Sequence, residues 1–232
     1  MKIKNTLTHS LLILALLISG CEDKEAEEQL VVESFSITLV DKITTGDETQ
    51  SQPELIRFVT DELGVIVNSE QNSVDFINIT PSGITMSGQS VQITQDADAD
   101  ASSIDVSVDE SILAVVVSKG ACLRGELYLI NTSTLQKYGP YELGFNPDAV
   151  DIAVDNKFVV VVNEFDYEDG VDGGCQTLGF PGVSVYDISA GIDKAALVKD
   201  MKISHTGSNG NLAEPEGVKI APNGDTVYMT LQ

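Results

Sequence analysis

The stretch IDVSVDESILAVVVS, Ile104–Ser118, decides the fold because a close copy follows it as VDIAVDNKFVVVVN, Val150–Asn163. The offset between the copies is 46 residues, measured from Asp105 to Asp151. In each copy a short apolar run ends at an aspartate, and a run of β-branched residues follows after a polar gap. Because β-branched side chains favour extended backbone, each copy predicts two antiparallel strands joined by a hairpin.

The same pattern occurs twice more, in Val218–Thr230 and, more weakly, in Ile56–Asn68. Further β-rich segments follow three of the copies. The predicted third strands are Ser73–Asn78, Glu126–Asn131 and Val183–Ile188, and the fourth strands lie around Val91–Ile93, Leu135–Tyr141 and Leu197–Ile203. Four short strands in a unit of roughly 45 residues are typical of a β-propeller blade. The sequence therefore predicts an all-β fold of antiparallel four-stranded blades, about three and a half of them, over residues 35–232. A β-sandwich is the alternative, but it does not explain the repeat.

The N-terminus has the form of an export signal. Lys2 and Lys4 precede an apolar run that ends at Ser19-Gly20-Cys21, and this run is too short to remain as a membrane-spanning helix. Ile18–Cys21 resembles the lipobox of bacterial lipoproteins, which implies that residues 1–20 are removed and that Cys21 receives the lipid. An ordinary secretory signal is the alternative. Because Glu rather than Asp follows Cys21, we expect retention in the outer membrane, facing the periplasm or the cell surface.

Composition limits the partners. The chain has 36 acidic and 13 basic residues and a formal net charge of −23, so it lacks the cations that nucleic acid binding requires. Residues 21–34 are rich in Glu and read as an acidic tether with little apolar surface to bury. We therefore expect a membrane contact through the lipid anchor and no nucleic acid partner.

A family resemblance adds to this reading. Asn146–Val150, Val161–Glu164 and Gly182–Ile188 resemble the propeller of the choice-of-anchor I surface proteins, and Glu214–Val218 with Tyr228–Gln232 resembles the next blade of that family. The resemblance implies an exported, surface-attached propeller of seven or a similar number of blades, for which an activity is mostly unassigned. Some related propellers are phytase-like or esterase-like. The sequence ends within its fourth blade, so we expect a truncated ring whose open strand edges disfavour an isolated monomer.

An acidic loop between the second and third strands of one unit is a candidate metal site. Carboxylate oxygens at alternating positions suit Ca²⁺, which accepts irregular coordination. The spacing is not that of an EF-hand, and a solvated acidic loop is the alternative. The candidate ligands are Glu164, Asp166, Glu168, Asp169 and Asp172.

Two further sets of residues are candidates. Cys122 and Cys175 both follow the second strand of neighbouring units, and an oxidising compartment permits a disulfide between them, with two separate thiols as the alternative. Asp148 and Glu216 precede blade strands, where they are expected to face the central channel or its mouth, although Pro-Asp and Pro-Glu also suit turns. His205 has no nucleophile motif near it and is predicted to be a surface residue.

These observations favour a membrane-anchored extracytoplasmic lipoprotein whose propeller binds a protein or polysaccharide, and which is more a scaffold than an enzyme. The alternative is a fragment of a calcium-dependent, phytase-like or esterase-like hydrolase. Scattered basic residues such as Arg57 and Arg124 form no cluster that would grip phosphate, which weighs against the hydrolase.

Overall fold

The computed structural model describes residues 41–42, 53–120, 122–165, 179–206 and 212–232. The predicted signal peptide, the acidic tether and Cys21 lie outside these residues. No helix in the described part of the chain is long and apolar enough to cross a membrane.

The strands of the described residues form three four-stranded antiparallel sheets and one two-stranded sheet, which we call blades 1 to 4. Blade 1 contains β1 (Pro53–Phe58), β2 (Leu63–Asn68), β3 (Ser73–Thr80) and β4 (Gly83–Gln92). Blade 2 contains β5 (Asp100–Val106), β6 (Ile112–Ser118), β7 (Arg124–Asn131) and β8 (Lys137–Phe145). Blade 3 contains β9 (Pro147–Ile152), β10 (Phe158–Asn163), β11 (Gly182–Asp187) and β12 (Ala196–Lys202), with a 3-10 turn at Ile192–Lys194. Blade 4 contains β13 (Pro215–Ile220) and β14 (Val227–Leu231).

This arrangement confirms the predicted fold class, an all-β chain of four-stranded blades of which the fourth is partial. The outer strands differ most from their predicted bounds. In blade 1 the outer strand was expected around Val91–Ile93, but β4 begins at Gly83. Most of β4 is polar and exposed, so its sequence lacks the apolar run that marks a buried strand.

The core lies between neighbouring blades. One cluster of buried residues joins blades 1 and 2, and it includes Val65, Phe76 and Leu113. A second cluster joins blades 2 and 3, and a third joins blade 3 to blade 4. The first strands of the blades lie side by side, because β5 contacts both β1 and β9, and β9 contacts β13. These four inner strands form the wall of a central channel, as in a propeller.

Candidate functional site

Each inner strand is irregular at the same place. In blade 3, Pro147 and Ala149 pair with the consecutive residues Asn163 and Val162, so Asp148 has no partner on β10. The same bulge occurs in the other blades at Glu54 and Leu55, at Ser102, and at Glu216. A β-bulge inserts an unpaired residue and redirects its side chain. The four blades therefore present one redirected position each.

The redirected side chains lie on one cavity in the channel. The cavity has a volume of about 420 Å³, and its wall includes Glu54, Ser102, Asp148 and Glu216. Two of these side chains are held by neighbours, since Ser69 donates to Glu54 at 3.2 Å and Ser102 donates to the carbonyl of Pro147 at 3.2 Å. Three of the four positions are carboxylates, so this end of the channel is acidic.

The pKa of Asp148 is shifted by its surroundings. Burial, and secondarily the negative charge of Glu216, raise the pKa of Asp148 to about 6. Within the described residues, neither carboxylate has an ion pair or a hydrogen bond that offsets its charge. The pair therefore attracts a positive charge, and Asp148 takes up a proton as the pH falls through about 6.

A second set of equivalent positions lies three residues further along each inner strand. Arg57, Asp105, Asp151 and Lys219 occupy it in blades 1 to 4. Arg57 Nε lies 3.6 Å from Asp105 Oδ1, and the Lys219 ammonium contacts Asp151. Because each aspartate lies beside a cation, the net charge of this layer of the channel is close to zero. The layer that contains Glu54, Asp148 and Glu216 is acidic by contrast.

The two aspartates also join blades through the backbone. Ile152 N donates to Asp105 Oδ2 at 2.9 Å, and Ile220 N donates to Asp151 Oδ2 at 2.6 Å. Burial raises the pKa of Asp105, against the lowering effect of the hydrogen bond from Ile152. Each aspartate thus satisfies an amide of the following blade, and we call these two contacts the blade latches.

The predicted site residues fall into different places. Asp148 and Glu216 lie on the channel wall, as expected, and His205 is exposed. Glu164 accepts a hydrogen bond from Asn146 Nδ2 at 2.9 Å. The remaining predicted calcium ligands, Asp166, Glu168, Asp169 and Asp172, lie outside the described residues, so the calcium site stays a prediction. Among the described residues no group of three or more Asp, Glu, His or Cys is placed to hold a metal ion.

The structure describes only one of the two cysteines of the predicted disulfide. Cys122 is disulfide-bonded, and Cys175 lies outside the described residues. The pairing of these two cysteines therefore stays a prediction.

Sequence reasoning missed Glu54, Ser102 and the blade latches. A signal for Glu54 was present, because Pro53-Glu54 matches Pro147-Asp148 and Pro215-Glu216 at equivalent positions. Ser102 lacks that signal, since alanine precedes it and its side chain is uncharged.

Comparison with known proteins gives a family and a fold. The family model of the choice-of-anchor I domain matches residues 55–232. A comparison with curated proteins found no match.

Solved structures with a similar fold have low sequence identity. Kuenenia stuttgartiensis hydrazine synthase is similar at a TM-score of 0.55 and 17% identity, over 76% of this chain and 49% of that one. A proposed 6-phosphogluconolactonase from Bacteroides fragilis is similar at a TM-score of 0.52 and 15% identity, over 66% of this chain and 40% of that one. The Dos1 propeller is similar at a TM-score of 0.52 and 12% identity, over 78% of this chain and 42% of that one. These likenesses show a propeller fold alone, and the chain spans half or less of the length of these structures.

Proposed function

Because the chain belongs to the choice-of-anchor I domain family, we propose that it is a lipid-anchored bacterial surface protein whose propeller binds a ligand without converting it. Membership of this family supports a location at the cell surface. The lipobox-like sequence Ile18–Cys21 supports a lipid on Cys21 and attachment to the outer membrane. The ligand-binding role rests on one observation, which is the acidic cavity formed by the redirected side chains of the inner strands.

The chemistry of this cavity favours a positively charged group on a protein or polysaccharide. Glu54, Asp148 and Glu216 line it, and the cation that also lines it, Arg57, lies beside Asp105. The carboxylates are not gathered closely enough to form a metal site among the described residues. A ligand amine reaches them through charge-assisted hydrogen bonds, which are stronger than neutral ones.

Calorimetric titration of the full chain with spermidine, used as an amine probe, tests this proposal. Asp148→Asn and Glu216→Gln are each expected to weaken binding about ten-fold, because each removes a charge-assisted hydrogen bond. Asp155→Asn is the matched control, since it removes the same charge from an exposed hairpin outside the cavity. Equal affinity in all four proteins would exclude the cavity as the binding site.

The lipid anchor has a separate test. Cys21→Ser is expected to move the protein from the membrane fraction of the producing bacterium to the soluble extracytoplasmic fraction, because the acylated residue is lost. Density-gradient separation of inner and outer membranes then locates the wild-type chain. Unchanged fractionation of Cys21→Ser would contradict lipid attachment at this residue.

The calcium hypothesis for the acidic loop is tested by thermal unfolding of the full chain with calcium and with a chelator. A ligand that binds only the folded state raises the unfolding midpoint. We expect calcium to raise the midpoint in the wild type but not in a variant in which Glu164, Asp166, Glu168, Asp169 and Asp172 are replaced by their amides. A midpoint that calcium leaves unchanged in the wild type would exclude this site.

One observation favours the alternative, a hydrolase. The pKa of Asp148 is raised to about 6, which lies in the range where a carboxyl group serves as a general acid or base near neutral pH. Phosphate ester and lactone substrates are the classes to assay. Turnover that Asp148→Asn abolishes and Asp155→Asn retains would replace the binding role by a catalytic one.

A further inference from the structure

The outer strand of blade 3 is exposed along its whole length. All seven residues of β12 are exposed, and Leu197, Val198 and Met201 retain 44%, 47% and 45% of their accessible surface. The strand lies at the end of its sheet, and no described strand pairs with its outer edge. An edge of this kind offers unpaired amide and carbonyl groups to another chain.

The equivalent edges of blades 1 and 2 are obstructed. In β4, the Asp41 carboxylate already accepts the hydrogen bond of Ile84 N at 2.8 Å, and Gly88 has a φ of 80° that interrupts the extended backbone. In β8, Pro140 has no amide hydrogen to donate. β12 contains neither glycine nor proline, and although its register shifts at Val198, its pairing with β11 is regular from Lys199 to Lys202, so this half of the strand offers an unobstructed edge.

The hydrogen bonds of β12 fix which amides point outward. Ile203 N donates to Pro181 O at 2.8 Å, so this amide points toward β11. Antiparallel pairing alternates inward and outward amides along a strand. The amides of Asp200 and Lys202 therefore point away from the sheet, toward an added strand.

The charge on this edge is opposite to that of the whole chain. The cations Arg57, Lys119, Arg124, Lys157 and Lys219 each form an ion pair. Lys199 and Lys202 form none with the described residues, and Lys202 Nζ lies 5.6 Å from the centroid of the Phe180 ring. The one acid of the strand, Asp200, lies 3.5 Å from Arg124, which also pairs with Glu142 at 2.8 Å, so Arg124, Lys199 and Lys202 face two carboxylates. The edge is thus locally basic on a chain of net charge −23.

We propose that β12 is a docking edge for an extended acidic segment of a partner protein, which adds to blade 3 as a fifth strand. Main-chain hydrogen bonds to the outward groups of β12 supply the pairing, as in other cases of strand addition. Lys199 and Lys202 select carboxylates on the incoming strand, and Leu197, Val198 and Met201 pack against its apolar side chains. This edge is separate from the channel cavity, so the inference does not depend on the ligand proposed there.

Peptide binding to the full chain tests this inference. The probes are two fluorescent octapeptides, one that repeats Val-Val-Glu-Glu and the other Val-Val-Lys-Lys, so that each face of the added strand carries both residue types, and the measurement is fluorescence anisotropy. We expect the acidic peptide to bind more tightly. The net charge of the chain alone predicts the opposite order, so tighter binding of the basic peptide would overturn the proposal.

Charge reversal locates the site. The double variant Lys199→Glu, Lys202→Glu is expected to bind the acidic peptide at least about ten-fold more weakly, because each substitution turns an attraction into a repulsion. The matched control is Lys157→Glu, an exposed lysine of the same blade, and Lys199→Arg with Lys202→Arg is expected to retain binding. Equal binding by all these variants would overturn the proposal. A second result would also overturn it: the chain self-associates, the double glutamate variant does not, and neither protein binds the peptide. The edge would then serve a second copy of the chain.

Discussion

Asp148 lies half-buried on the channel wall, and its surroundings raise the free energy of its ionised form. Its pKa rises from 3.8 to about 6 because burial and the charge of Glu216 disfavour the ionised form. A group whose pKa is higher in the folded than in the unfolded state stabilises the fold below its unfolded pKa. That contribution is lost as the pH rises through the folded pKa. Ionised Asp148 therefore destabilises the protein at neutral pH, which is typical of a residue kept for binding.

Asp148→Asn is accordingly expected to be more stable than the wild type at pH 8 by about 1 kcal/mol, after allowance for solvent screening of a partly exposed group. The difference is expected to vanish below about pH 3, where the wild-type carboxyl is protonated in both states. Urea unfolding at several pH values measures it. A difference that stays constant with pH would contradict the raised pKa.

The same titration controls ligand binding in the channel. Because a cation and a proton compete for the Asp148–Glu216 pair, the affinity for spermidine is expected to fall as the pH drops through 6. In Asp148→Asn the residual affinity is expected to change less over this range. Calorimetry at pH 5 and pH 8 checks this, and a pH dependence retained in full by the variant would assign the proton to another group.

Asp151 has a structural role that its exposed neighbours lack. Its side chain is 3% exposed, and it accepts the amide of Ile220 from blade 4. Asp151→Ala leaves that buried amide without a partner, so we expect a loss of about 2 kcal/mol of unfolding free energy. Asp151→Asn keeps an acceptor oxygen and is expected to lose less. Asp155→Ala, an exposed control, is expected to change stability by less than about 0.5 kcal/mol.

At the scale of the strand, the sequence predicted what depends on local pattern. The valine-rich runs of β6 and β10 fall where the 46-residue repeat predicted them, because buried central strands need apolar residues at every position. Exposed outer strands such as β4 and β8 lack that signal, which explains their shifted bounds, whereas β12 lies within one residue of the predicted Leu197–Ile203. The bulges were not predictable, because a bulge is a property of the pairing between two strands and leaves no mark in the hydrophobic pattern of either one.

The bulge in β9 depends on close packing against β7. A Cβ added to Gly125 would lie 2.3 Å from Pro147 Cγ and 2.7 Å from Val117 O. Gly125→Ala is therefore expected to displace Pro147, with a loss of about 2 kcal/mol in stability. Since Pro147 precedes Asp148, the variant is also expected to bind spermidine more weakly. Wild-type affinity in Gly125→Ala would show that the position of the bulge does not control the cavity.

Over the whole molecule, the predicted Cys122–Cys175 disulfide would join blade 2 to the loop that follows the second strand of blade 3. Cys122→Ser with Cys175→Ser is expected to lower the unfolding free energy by about 2–4 kcal/mol, because the unfolded chain gains freedom. Peptide mapping without reductant identifies the partner of Cys122. A fragment that links Cys122 to any other cysteine would contradict the pairing.

The blade latches also impose an order of assembly on the chain. A ribosome releases Asp105 before Ile152, and Asp151 before Ile220, so the carboxylate of each latch is always made before the amide that it receives. Blades 2 and 3, once finished, then each present a ready acceptor to the inner strand that emerges next. Since the proposed signal peptide leads the chain N-terminus first through the membrane, and domains fold in that order as they emerge, the chain is expected to fold vectorially after export, with blades 2 and 3 serving as the templates on which their successors close.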